Sequence, residues 1–217
     1  MILTLADLRT EAEKLLIQIP EGDSLDPFSR ALIDLGIKAA VTSLDIAALD
    51  DAIAAALSAG ATHQQVQEII ALVSGLGVHS LMTSARQLLE KSAAMDDSLR
   101  GPLSAEQQAL WAQYIGKDSY WISFEEEVPG FLDALLRLSP DLFRSFHDYC
   151  AIPWKSGTVP AFIKELAAMA TDATPTHRFL PGMRLHLRNA LKLGAGGKAV
   201  VEALDIAAAA PGHSGVR

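Results

Sequence analysis

Apolar residues along this chain recur at helical spacing and seldom on alternate positions. Around position 165, Ala161, Phe162, Ala168 and Met169 stand three or four residues away. Around position 186, Met183, Ala190 and Leu193 continue a similar stripe. Runs of β-branched or aromatic residues with a period of two are few, so strands are not expected. Punctuation supports helices. Asp26-Pro27 and the segment from Thr158 to Pro160 read as helix entries, and Ser139-Pro140 opens another. Thr62 with Gln65, and Ser104 with Gln107, form capping boxes, and Gly60 and Gly194 stand where a helix should stop. The pattern predicts eleven helices, at about 2–18, 27–41, 44–58, 63–75, 78–93, 104–116, 123–137, 140–150, 160–172, 179–193 and 197–209.

The two ends of the chain are alike. A shift of 134 residues places Ala56, Leu57, Gly60, Ala61, Val66, Glu68, His79 and Ser80 on Ala190, Leu191, Gly194, Ala195, Val200, Glu202, His213 and Ser214 without a gap. Upstream, Phe28, Arg30 and Leu32 fall on Phe162, Lys164 and Leu166. The period is too long for a solenoid, so the expected architecture is an all-α, duplicated helical bundle. The segment 94–103, with Asp96-Asp97 and Gly101-Pro102, separates a first repeat (1–98) from a second (99–217).

Composition narrows the function. The chain has 217 residues, half of them apolar, and a formal net charge of -8, the wrong sign for a nucleic-acid binder. Its contiguous apolar runs are much shorter than the ~20 residues of a membrane span, and its first residues do not resemble a signal peptide. A cytoplasmic protein without nucleic-acid or membrane partners is expected. The lone Cys150 reads as a small core residue and allows neither an internal disulfide nor a Cys-x-x-Cys site. No acid lies between Asp172 and Glu202, whereas Arg178, Arg184, Arg188, Lys192 and Lys198 do. This cationic stretch suits a small anionic ligand, or is a solvated face.

The differences between the copies indicate where chemistry resides. Glu165 and His186 of the second copy fall on Ala31 and Ala52 of the first. Both polar residues interrupt apolar stripes on consecutive helices, and Asn189 is the only polar neighbour of His186. A buried carboxylate needs a partner. Glu165 and His186 could supply each other, either as an acid/base pair at the base of a pocket or as a structural hydrogen bond. Trp154 and Lys155, read as a loop before the Glu165 helix, could cover such a pocket. Arg188 lies about 200° around the helix from His186. With Arg184 and Lys192 it reads more simply as a solvated or interface stripe. Glu125-Glu126-Glu127 reads as a solvated face. His79 and His213, present in both copies, read as architectural. No histidine–carboxylate spacing on one face suggests a metal site.

Lys164-Glu165-Leu166-Ala167, the run from His186 to Ala195 (His-Leu-Arg-Asn-Ala-Leu-Lys-Leu-Gly-Ala) and Val201-Glu202-Ala203-Leu204 resemble the carboxymuconolactone decarboxylase family, which includes the alkylhydroperoxidase D-like proteins. The resemblance covers about 140–216 and, through the repeat, 5–80. It implies an all-α fold, a cofactor-free carbon–carbon lyase of aromatic catabolism and a homo-oligomer, a trimer in two-copy members. It makes Glu165 and His186 the catalytic residues, with Arg188, Trp154 and Lys155 as candidate substrate-binding residues. The peroxidase branch carries Cys-x-x-Cys seven and four residues before the histidine. Phe179 and Gly182 stand there instead, so a thiol peroxidase is excluded. A non-catalytic binding or assembly member, and a hydrolase or isomerase using the same pair, remain alternatives.

Overall fold

The structure, a computed structural model, describes residues 2–216. Among the described residues the chain is all-helical, with twelve α-helices, two short 3-10 turns and no strand. They are α1 (Leu5–Leu16), α2 (Pro27–Ala39), α3 (Ile46–Ser58), α4 (His63–Ser74), α5 (Val78–Ala93), α6 (Ala105–Tyr114), α7 (Ser119–Glu127), α8 (Phe131–Leu138), α9 (Pro140–Ser156), α10 (Ala161–Asp172), α11 (Leu180–Lys192) and α12 (Gly197–Ala208).

The local signals act as the sequence suggests. Asp26 caps α2 with Pro27 in its first turn, and both capping boxes close. Gly60 and Gly194 take positive φ, 93° and 95°, and each is followed by the bond that ends the turn, Ala61 N to Ala56 O and Ala195 N to Ala190 O, both 3.0 Å. Two expected helices differ. The one predicted over 123–137 is divided between α7 and α8, because Pro129 lacks an N–H and Gly130 turns left-handed at φ 77°. The one predicted over 140–150 continues to Ser156 through an internal Pro153.

The chain forms two compact units. Unit 1 combines residues 1–76 with 152–217, and unit 2 is the intervening 77–151. The structure therefore groups the chain differently from the expected division at 98/99. The reason lies in the repeat itself. Helices α2, α3 and α4 begin 134 residues before α10, α11 and α12, and all six belong to unit 1. They share one core, in which Leu32, Ile33, Leu35 and Ile69 of the first copy and Leu166, Met169, Leu187 and Val200 of the second are fully buried. Helix α10 packs on α2, α4, α11 and α12, and α2 on α3, α4 and α12, an exchange symmetric between the copies. Gly36 brings α2 close to its neighbours, since a Cβ there would meet Val73 Cγ1 at 3.3 Å. The repeat ends with α4 and α12. His79 lies on a helix of unit 2 and His213 in the extended C-terminal segment, so their match does not reflect a shared structural place.

The stretch His63–Ala93 is long and apolar enough by composition to cross a membrane, at mean hydropathy 1.3. On it Val66, Ile69, Val73 and Leu76 are buried in protein, whereas Leu88 is 56% exposed.

Unit 2 is built around an aromatic cluster. Trp121, Phe143 and Phe146 surround His147, whose Nδ1 is 2.8 Å from Phe143 O. Burial lowers the pKa of His147. The expected solvated face at 125–127 is only partly so. Glu126 is exposed, Glu127 is buried, and Glu125 Oε1 receives the Gly130 N–H at 2.5 Å, closing the α7–α8 corner.

Candidate active site

Every residue of α10 from Ile163 to Asp172 is buried, and four of them are polar or charged: Lys164, Glu165, Thr171 and Asp172. Such a helix must find partners for those groups. Glu165 finds His186. Helices α10 and α11 run antiparallel across a short turn, and His186 Nδ1 lies 2.7 Å from Glu165 Oε2. The side chains are 15% and 7% exposed. A carboxylate only accepts, so Nδ1–H donates to it, and the opposite ring nitrogen, Nε2, is left to exchange a proton. Burial alone would lower the imidazole pKa. The hydrogen bond and charge of Glu165, with the charge of Asp172, outweigh it and hold the pKa above its ordinary value.

Asp172 was not singled out in the sequence. It lies seven residues after Glu165, two turns along the same face of α10, and is 1% exposed. Gly182, one turn before His186 on α11, leaves room for it. A Cβ at Gly182 would stand 2.1 Å from Asp172 Oδ2. This gives the missing Cys-x-x-Cys a physical meaning, because no thiol fits at Gly182 unless Asp172 moves. His177 Nε2 is 3.6 Å from Asp172 Oδ1. The signal available in the sequence was the i, i+7 pair of acids with a glycine on the facing helix.

Lys164 and Glu68 form a second buried pair, with Nζ to Oε1 at 2.6 Å and side chains 3% and 2% exposed. Nζ also donates to Pro153 O at 2.8 Å and lies 5.3 Å from the centre of the Trp154 ring. The other oxygen of Glu68 accepts from the Thr158 hydroxyl and from the backbone N–H groups of Thr158 and Val159. Burial would raise the Glu68 pKa, but the bonds from Lys164 and Thr158 lower it below the ordinary value. The corresponding pair in the other copy is Arg30 with Glu202, 2.5 Å apart, with Glu202 also accepting from Leu25 N–H at 3.0 Å. Each copy lends its glutamate to the other copy's cation.

Trp154 and Lys155, expected in a loop, lie in the last turn of α9, which continues past Pro153, whose carbonyl accepts from Lys164 Nζ and Ser156 Oγ. Trp154 packs on the Lys164 ammonium, and Lys155 is exposed. Arg188 is half-buried on α11, two residues beyond His186. Cys150 is half-buried and burial pushes its thiol up to about 11, the behaviour of an inert residue. A cavity of about 370 Å³ in unit 1 is bounded by Gly22, Asp26, Ser29, Phe162, Leu193 and Gly196 among others, but neither Glu165 nor His186 lines it. The pocket expected at the pair is therefore not this one.

Comparison with known proteins decides the family. A crystal structure from Burkholderia xenovorans LB400, provisionally described as a gamma-carboxymuconolactone decarboxylase subunit, matches at 34% identity and TM-score 0.71, over 84% of this chain and 71% of the other. The chain belongs to the carboxymuconolactone decarboxylase-like family. No family model and no curated protein matches it. The all-helical fold expected from the sequence is that of this carboxymuconolactone decarboxylase-like relative.

Proposed function

We propose that this carboxymuconolactone decarboxylase-like protein is a cofactor-free lyase that removes CO₂ from a small carboxylated lactone or keto acid. The observation that carries the reading is the 2.7 Å bond between Glu165 and His186 in a largely buried setting. Loss of CO₂ breaks a carbon–carbon bond and leaves its electron pair in the conjugated carbonyl system of the substrate. A proton must then reach carbon. His186, protonated on both nitrogens, donates from Nε2, and Glu165 holds Nδ1–H and stabilises the imidazolium. Solvent returns the proton. The acid-free stretch 173–201, with five Lys and Arg residues, supports an anionic substrate. The description of the Burkholderia relative as a gamma-carboxymuconolactone decarboxylase subunit supports the same chemistry. A homotrimer is part of the proposal and rests on the family resemblance.

The test is CO₂ release from γ-carboxymuconolactone and a panel of β-keto acids by wild type and His186→Ala. Release by wild type that falls about 10²- to 10⁴-fold in the variant is expected for loss of a general acid. Release that survives His186→Ala removes this histidine from the mechanism. No release from any substrate favours the binding or assembly alternative.

A further inference from the structure

Asn189 is a further polar residue that separates the two copies, as Arg188, which falls on Ala54, also is. Asn189 of α11 falls on Ala55 of α3 under the 134-residue shift, just as Glu165 falls on Ala31 and His186 on Ala52. Wherever the second copy has acquired a polar side chain at these three helix positions, the first has alanine. Asn189 lies three residues beyond His186, the spacing at which side chains are neighbours on a helix surface.

Glu165 and His186 satisfy each other, whereas Asn189 does not share in their bond. Its Nδ2 is buried and, among the described residues, has no hydrogen-bond partner. A buried amide N–H without an acceptor is costly, and the alanine of the other copy would avoid that cost. Duplication shows that alanine is compatible with this fold. A polar group kept unpaired beside an acid/base pair is arranged for something that arrives from outside the protein.

We infer that Asn189 is a substrate-binding residue of the Glu165–His186 site, its Nδ2–H donating to the lactone or keto carbonyl oxygen of the ligand. This rests on the proposed function for the reaction, but not for the binding. The carbonyl oxygen accepts a hydrogen bond in the bound substrate and gains negative charge as CO₂ leaves, so the contact strengthens along the reaction. His186 would then deliver its proton to the carbon while Asn189 holds the oxygen.

The test uses the full chain and two probes. One is turnover of γ-carboxymuconolactone. The other is calorimetric binding of a saturated carboxylated γ-lactone, 5-oxotetrahydrofuran-3-carboxylate, which has the carbonyl but no conjugation to accept the electron pair. Asn189→Ala, which copies the first repeat, and Asn189→Asp, which keeps the shape but cannot donate when ionised, are compared with wild type and His186→Ala. Both Asn189 variants should weaken lactone binding and lower kcat/KM by about 10- to 100-fold, the loss of one hydrogen bond to a charge-bearing oxygen. The pH profile of Asn189→Ala should stay where wild type has it. Lactone affinity and kcat/KM unchanged in both variants overturn the inference and leave the proposed lyase intact. A variant that loses thermal stability while keeping lactone affinity shows a purely structural Asn189, which also overturns it. If wild type binds the lactone through Asn189 and releases no CO₂, the inference stands and the lyase reading falls. If wild type neither binds nor turns over either compound, both fall.

Discussion

The two copies in unit 1 share a backbone plan and differ in what they bury. In the first, the matching positions of α2 and α3 are alanines, 31 and 52, and the cation of the repeat, Arg30, meets Glu202 at the surface with 49% of its side chain exposed. In the second, α10 and α11 bury a glutamate–histidine pair at the same places, and the cation, Lys164, is enclosed with Glu68 at 3% exposure. Duplication thus provides an internal control. Both copies have the helices, the C′ glycines and the crossed ion pairs. The first copy does without counterparts of Glu165, His186 and Asn189. What one copy dispenses with is what function explains best.

The crossed ion pairs break the comparison most strongly. Glu68→Ala strands a buried ammonium and should cost about 3–5 kcal/mol in urea unfolding. Glu202→Ala removes the equivalent acid from a half-exposed pair and should cost about 1 kcal/mol or less. Equal losses would mean that burial does not distinguish the two bridges.

The glycine facing Asp172 gives the next effect. Gly182→Ala forces a Cβ against the Asp172 carboxylate and should cost about 1–3 kcal/mol. The reverse change at the matching position, Ala48→Gly, should cost about 0.5–1 kcal/mol, the ordinary cost of a helical glycine. Thermal unfolding of the two variants separates these cases, and a neutral Gly182→Ala would show that Asp172 moves freely.

The pH dependence of stability sharpens the contrast with the smallest signal. The folded pKa of Glu68 lies below its unfolded value, so its contribution is present above the unfolded pKa and is lost as pH falls through the folded one. His186 runs the other way. Its folded pKa lies above the unfolded value, so its contribution is complete below the unfolded pKa and is lost as pH rises through the folded one. Unfolding free energies across a pH series should show both limbs in wild type. Glu165→Gln should flatten the upper limb, because it removes the charge that holds the proton on His186. The limb of the proposed turnover governed by imidazolium should move to lower pH in the same variant. An upper limb unchanged in Glu165→Gln would assign it to another group.

Much of this molecule was legible in the sequence because it depends on neighbours along the chain. Helix periods, the capping boxes at Thr62 and Ser104, the terminating glycines and the shift of 134 residues are local or repeated signals. Glu165 and His186 could be paired on paper because they interrupt apolar stripes on consecutive antiparallel helices, where few alternative partners exist. The break between α7 and α8 was marked by Pro129-Gly130, yet the apolar periodicity on either side ran across it. What only the tertiary structure decided involves residues far apart in the chain. The crossed bridge from Lys164 to Glu68, the Asp172 carboxylate fitted against Gly182, the place of Trp154 beneath an ammonium and the unpartnered amide of Asn189 depend on which helices meet. The grouping of 1–76 with 152–217 depends on it too. A sequence carries the tendency of each residue to be buried or exposed. Which buried polar groups meet is set by the packing of the whole core, where an unpaired charge is too costly to remain.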